Sequence, residues 1–252
     1  IRQSFRQGEP NGPAVVVEPT GRSGRRLRFA PDPSLFVFES ASASIFPLVG
    51  RLRELAALIP GCAIMLRDEA GGRHERIAYP DLAAYFSELL PIEANDPPII
   101  AYAAELADGC LLDLALCFDS DAPPLQRSFV NLERTGGGGT HVDGLWRGLG
   151  LALAEHTRAI GAQRGGQPLP ELSAALLERE VDYLLAVTVP KPQWAGNWRY
   201  ELINPELPEL IAAALERELA PILNNQFRRW NSPAPRLFYH AEQALSPESD
   251  DD

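Results

Sequence analysis

Four consecutive glycines, Gly136 to Gly139, separate a short apolar segment from a long periodic one. Glycine lacks a Cβ, so such a run can take positive φ or lie directly against another group. Before it, Arg127 to Arg134 reads as a strand, with Phe129 and Val130 as its apolar content. After it, Thr140 is placed to N-cap a helix through Gly144, Leu145, Trp146, Leu149, Leu151 and Leu153, ending near Ile160. Free amides at a helix start form a ready anion site. The plain alternative is a flexible strand-to-helix joint. A phosphate-binding P-loop is excluded, because Thr140-His141 stands where that motif needs Lys followed by Ser or Thr.

The chain has 252 residues, 45% hydrophobic and 23% charged, enough for one or two globular domains. Its net charge of −11 excludes nucleic-acid binding through an overall basic field. Three cysteines, Cys62, Cys110 and Cys117, sit in apolar surroundings, as buried free thiols of a reducing cytoplasm do. Neither they nor the four histidines have metal-site spacing. No apolar run has transmembrane length and the first residues are polar and basic, so a cytoplasmic protein without membrane contact is expected. A start at Ile1 suggests a piece of a longer chain.

Along the chain, Ala14–Glu18 and Arg25–Phe29 read as the two strands of a hairpin. Ser42 or Ser44 can cap a helix to Leu58, with Leu48, Leu52, Leu55 and Ala56 on one face. Strands follow at Cys62–Arg67 and Glu75–Tyr79, then a helix at Leu82–Leu90 started by Pro80-Asp81, and a linker to Pro98. Asp108-Gly109 signals a hairpin between Ile99–Leu106 and Cys110–Phe118. A short helix near Glu171–Glu178 precedes Tyr183–Val189, whose unbroken apolar run fits a central strand buried on both faces. Pro208–Leu223 is the last amphipathic helix. The fold class is α+β, in two consecutive α/β layers.

These motifs, in this order, carry a resemblance. Gly8-x-Pro10-x-x-Pro13 before Val15-Val16-Val17, then Gly24-x-x-Leu27-x-Phe29-x-Pro31-Asp32, open the series. Arg51-Leu52-Arg53-Glu54-Leu55-Ala56, Ile64-x-Leu66-Arg67-Asp68, Ser128-Phe129-x-Asn131 and Gly138-Gly139-Thr140-His141-x-x-Gly144 continue it. Leu184–Pro190, Pro192, Gly196 and Asn204-Pro205-Glu206 close it. Together they resemble the B subunits of bacterial DNA gyrase and topoisomerase IV over about residues 5 to 225. The resemblance implies the C-terminal part of a gyrase/Hsp90-type ATPase domain over 1–78. It implies a ribosomal-protein-S5-domain-2-like transducer over 79–230 and a C-terminal extension over 231–252.

It further implies an ATP-hydrolysing type II DNA topoisomerase, an isomerase, that uses ATP with Mg. The parent would work with an A subunit and DNA, and dimerise through the ATPase half. The piece alone would be inactive. In that family a transducer loop Gln-Thr-Lys contacts the γ-phosphate, and the matching residues here are Asn197, Trp198 and Arg199. Arg for Lys keeps the charge but changes donor geometry. The plain alternative is that Trp194, Trp198 and Tyr200 pack this loop, with Arg199 on the surface. Arg25 stands where the family has a Thr near the adenine, and Gly137 where it has Glu. Gly138, Gly139, Thr140 and His141 match the hinge and cap of the transducer helix, where a structural role for His141 is expected over a catalytic one. The departures at Arg25, Gly137 and Trp198 leave a second possibility, a divergent B-subunit paralogue that no longer hydrolyses ATP and acts by interaction. A third, a mismatch-repair or chaperone relative, is opposed by the Thr140-His141-x-x-Gly144 element.

Overall fold

The computed structural model describes residues 1–17, 21, 23–30, 45–69, 71–90, 99–118, 123–163 and 174–229. In chain order the elements are β1 (Phe5–Arg6), β2 (Glu9–Pro10), α1 (Ile45–Leu58), β3 (Ile64–Arg67), β4 (His74–Ile77) and α2 (Leu82–Leu89). They continue with β5 (Ile100–Glu105), β6 (Leu111–Phe118), β7 (Gln126–Val130), β8 (Glu133–Arg134), α3 (Thr140–Gln163), α4 (Ala174–Glu180), β9 (Val181–Thr188) and α5 (Leu207–Arg229). Two compact units result, Ile1–Gly50 with Arg67–Arg73, and Arg51–Leu66 with His74–Asp252.

The second unit is built on a five-stranded sheet in the order β5-β6-β9-β7-β8. β6 pairs antiparallel with β5 and β9, and β9 pairs parallel with β7. β9 is central, so both its edges are bonded and both its faces are covered. On one face Val181, Tyr183, Leu185 and Val187 join Leu112, Leu114 and Leu116 of β6 under α3 and α5. On the other, Leu184 joins Ala115, Cys117 and Phe129 under Tyr85 and Phe86 of α2. The period-2 alternation of a strand thus feeds two cores. Burying a leucine in either is worth about 1.5–3 kcal/mol.

Asp108 and Gly109 both take positive φ, 58° and 72°, and turn β5 into β6. Asp81 caps α2, its Oδ1 accepting the Ala84 N–H at 2.8 Å. α3 lies on α5 through two glycines. A Cβ on Gly144 would stand 3.1 Å from the Pro208 backbone, and one on Gly148 2.9 Å from Ala212 Cα, so bare backbone sets this helix spacing.

Several expectations need correction. Arg127 to Arg134 is not one strand: Asn131 and Leu132 take φ of 48° and 73°, the signature of a tight reverse turn, and split it into the hairpin β7-β8. In the first unit, neither Ala14–Val17 nor Arg25–Phe29 forms a strand. Among the described residues, Val15 makes an isolated bridge to Arg2, and the hairpin there is β1-β2, with two residues in each strand. α5 starts one residue before Pro208 and continues through Pro221 to Arg229. The candidate caps Ser42 and Ser44, the linker from Pro91 to Pro98 and the extension from 231 lie outside the described residues.

Candidate functional site

Between β9 and α5 the chain folds back on itself. The Ile203 N–H donates to the Gln193 carbonyl at 2.9 Å, and the Ala195 N–H to the Glu201 carbonyl at 3.0 Å. The limbs of this ribbon are Gln193–Ala195 and Glu201–Ile203, and its tip is Gly196 to Tyr200. Asn204, 1% exposed, closes the open end. Its Oδ1 accepts the Gln193 N–H at 2.7 Å, while its Nδ2 donates to the Lys191 carbonyl at 3.2 Å and to Glu206 at 2.7 Å. That accounts for the Asn204-Pro205-Glu206 motif: one buried amide satisfies both ends of the loop.

The glycine run is bonded to the second limb. The Gly137 N–H donates to the Tyr200 carbonyl at 3.0 Å, the Leu202 N–H to the Gly138 carbonyl at 3.2 Å, and the Thr140 N–H to the Leu202 carbonyl at 2.9 Å. Gly139 takes φ of 116°, and a Cβ there would overlap the Leu202 carbonyl oxygen, so only glycine fits. The anion-site idea fails here, because Leu202 already occupies the leading Thr140 amide. The side-chain cap also fails. Thr140 lies inside α3, its buried hydroxyl has no partner among the described residues, and the Gly139 carbonyl receives the Val142 N–H instead.

Beneath the joint runs a buried polar chain. The Ser128 and Thr135 hydroxyls lie 2.6 Å apart, and Thr135 Oγ1 is 3.1 Å from His141 Nε2. Burial pulls His141 down to about 4, so its ring is neutral. The ring is fully buried within this chain of polar side chains. Asn131 donates to the Val189 carbonyl and accepts the Val189 N–H, both at 2.8 Å, extending the β7-β9 pairing with a side chain. Ser128-x-x-Asn131 is thereby explained by sheet and joint.

The tip presents Asn197, Trp198 and Arg199 to solvent. Arg199 is held at φ of 52°, in the left-handed region that non-glycine residues rarely occupy. It makes no ion pair with any described residue. Trp198 is 92% exposed, which removes it from loop packing. Trp194 packs against the main core, and Tyr200 lies on the glycine run. Arg25 belongs to the other unit, where it is exposed on irregular backbone. Among the described residues, no cluster of His, Cys, Asp or Glu could hold a metal, and no helix is long and apolar enough to cross a membrane.

Sequence reasoning missed how Arg53 and Glu54 of α1 are used. Arg53 donates to Glu88 at 2.6 Å and Glu75 at 2.9 Å, and the Tyr79 hydroxyl donates to Glu88 at 2.6 Å. Burial, reinforced by Glu88, pushes the Tyr79 hydroxyl well above its usual range. Glu54 accepts from Arg51 at 3.1 Å and from Arg134, with Arg127 3.9 Å away. The motif's alternating charges were the available signal, but the partners on other elements lie 22 to 80 residues away.

The family model for DNA gyrase B matches residues 80–236. Among curated proteins, the chain is 30% identical over 207 residues to the B subunit of the Aquifex aeolicus type 2 topoisomerase, covering 81% of this chain and 25% of that one. It is 32% identical over 207 residues to the B subunit of Escherichia coli DNA topoisomerase 4, covering 79% and 31%. The chain thus spans about a quarter to a third of these relatives. Among solved structures, the 43K ATPase domain of Thermus thermophilus gyrase B in complex with an aminocoumarin aligns with a TM-score of 0.69 at 24% identity, covering 96% of this chain and 64% of that one. The B subunit of the Myxococcus xanthus gyrase aligns at 0.65 and 24%, covering 92% and 65%. Both have the same α+β fold. With the family model matching well over half the chain, this protein belongs to the DNA gyrase B family.

Proposed function

We propose that the chain is the part of a type II DNA topoisomerase B subunit that couples ATP binding and hydrolysis to DNA strand passage. The parent is a cytoplasmic isomerase that works with an A subunit and dimerises through its ATPase region. The domain boundary lies at residue 79, a reading supported by the start of the family match at residue 80.

The observation that carries this reading is the tip of the ribbon. Arg199 offers an exposed guanidinium, with no ion pair to any described residue, on backbone held at φ of 52°. Its base is bonded to the start of α3 through Gly137, Gly138 and Thr140. Arg199 binds and neutralises the γ-phosphate of ATP, with Asn197 donating beside it. The backbone that carries the charge is held at φ of 52°, and the guanidinium offers a planar set of donors to the charge that develops on the transferred phosphoryl group. ATP, with Mg, supplies the phosphoanhydride whose cleavage drives the cycle. Gly138, Gly139, Thr140 and His141 form the hinge through which the tip reports to α3. Arg25 is assigned to the nucleotide pocket by its place in the motif Gly24-x-x-Leu27-x-Phe29.

Arg199→Ala and Arg199→Lys in the full-length protein test this. ATP turnover should fall about a hundredfold in the first and recover substantially in the second. An unchanged rate in Arg199→Ala removes the residue from the mechanism.

A further inference from the structure

The four glycines of the joint differ in what surrounds them. Gly138 and Gly139 take positive φ, 63° and 116°. Gly136 and Gly137 do not. What a side chain at those two would meet, where the ring now stands, is Tyr200. A Cβ on Gly136 would overlap Tyr200 Cε2, and one on Gly137 would stand 2.5 Å from Tyr200 Cδ1. The ring lies along two glycines with one edge to solvent, and Tyr200 is 59% exposed. The same residue's carbonyl receives the Gly137 N–H at 3.0 Å. Tyr200 is also the immediate neighbour of Arg199.

We propose that Tyr200 is a positioning residue, whose ring, clamped on the Gly136-Gly137 platform, fixes the direction in which Arg199 and Asn197 point relative to the start of α3. This rests on the reading of Arg199 as a phosphate contact. It also gives a physical account of Gly137: a glutamate there could not coexist with the Tyr200 ring in this geometry. The clamp acts where the tip joins the ribbon, so it controls aim, while Asn204 and the Leu202 bonds hold the base.

Amide hydrogen exchange on this chain tests the clamp without nucleotide. Tyr200→Ala should speed exchange of the Gly137, Leu202 and Thr140 amides roughly tenfold or more, with the interior amides of β9 unchanged. Tyr200→Phe should behave as the parent, because the ring and not the hydroxyl makes the contact. Gly137→Ala should disturb the same three amides when the ring is present and add nothing in the Tyr200→Ala background. In the full-length protein, Tyr200→Ala should lower kcat at least tenfold and leave KM for ATP within about twofold, with Tyr200→Phe retaining kcat. Unchanged exchange in Tyr200→Ala, or a Gly137→Ala effect that is the same with and without the ring, overturns the clamp. Altered exchange with undiminished kcat in Tyr200→Ala overturns the positioning role. If Arg199→Ala keeps full turnover while the exchange pattern holds, the phosphate reading is lost and the clamp stands.

Discussion

The run Val181 to Thr188 and the run Val15 to Val17 look alike as sequence, both rich in β-branched and apolar residues, but they end in opposite environments. Leu184 and Leu185 of β9 are fully buried, between β6 and β7 and between two helical layers. Val16 is 81% exposed, and Leu27 of the neighbouring expected strand 84%. Within its own unit, Val15 has one bridge, the pair of bonds to Arg2 at 2.7 and 2.8 Å. Alternation is a local property, whereas a strand exists only where neighbours bond its edges and cover a face. The two regions should therefore respond differently to the same kind of truncation. Leu185→Ala should cost about 3–4 kcal/mol in urea unfolding, the loss expected for a leucine with no room to collapse around it. Val16→Ala should cost less than about 0.5 kcal/mol. Equal losses would erase the distinction.

That contrast also marks what could be read in advance. The sheet strands around Asp108-Gly109, the central strand, the Asp81 cap and the long helix after the glycines each carry their signal within a dozen residues. The family motifs placed the joint and the loop. What could not be read is how the two meet: the Leu202 carbonyl on the Thr140 amide, Tyr200 on Gly136 and Gly137, and Asn204 across its own loop. The contacts between joint and loop connect positions some sixty residues apart, and no local period encodes them. Thr140 illustrates the cost of local reasoning. Its residue type suits a cap, but a closer acceptor and a glycine with φ of 116° had already defined the helix start. The turn at Asn131-Leu132 was hidden for the opposite reason, since leucine is a poor advertisement for positive φ.

The joint sharpens the comparison through pH. The His141 ring is buried and its pKa is lowered from 6.5 to about 4 by that burial. Above pH 6.5 the ring is neutral in both the folded and unfolded chain, and it contributes no pH dependence. As pH falls from 6.5 towards 4, the unfolded chain takes up a proton that the folded chain refuses, so stability drops. Below 4 both forms are protonated and the loss stops growing. The full effect is about 3 kcal/mol. His156 is shifted in the same direction by burial and remains as background. The unfolding free energy of His141→Gln, measured by urea titration at several pH values, should lack about that much of the parent's slope over this window. Parallel curves for the two proteins would mean that the ring is not the buried, neutral group the geometry requires.

The smallest effect compares acids. Glu54 and Glu69 each pair with arginine, Glu54 in the sheet-bearing unit and Glu69 with Arg28 at 2.7 Å in the other. The Glu54 side chain is 6% exposed and faces Arg51, Arg127 and Arg134, themselves 35%, 28% and 48% exposed. Arg28 and Glu69 are 81% and 53% exposed. Removing a buried acid leaves its cations in a place where water solvates them poorly, and the cost is that desolvation more than the lost attraction. The partial exposure of these arginines keeps the cost moderate, so Glu54→Gln should lose about 2 kcal/mol, little changed by added salt. Glu69→Gln breaks a solvated pair and should lose less than about 0.5 kcal/mol, with that remainder screened away at high salt. A Glu54→Gln loss as small and as salt-sensitive as that of Glu69→Gln would show that α1 is not anchored to the β7-β8 hairpin through this carboxylate. The hydrogen bond from Arg51 to the Leu132 carbonyl, at 2.7 Å, would then be the main tie.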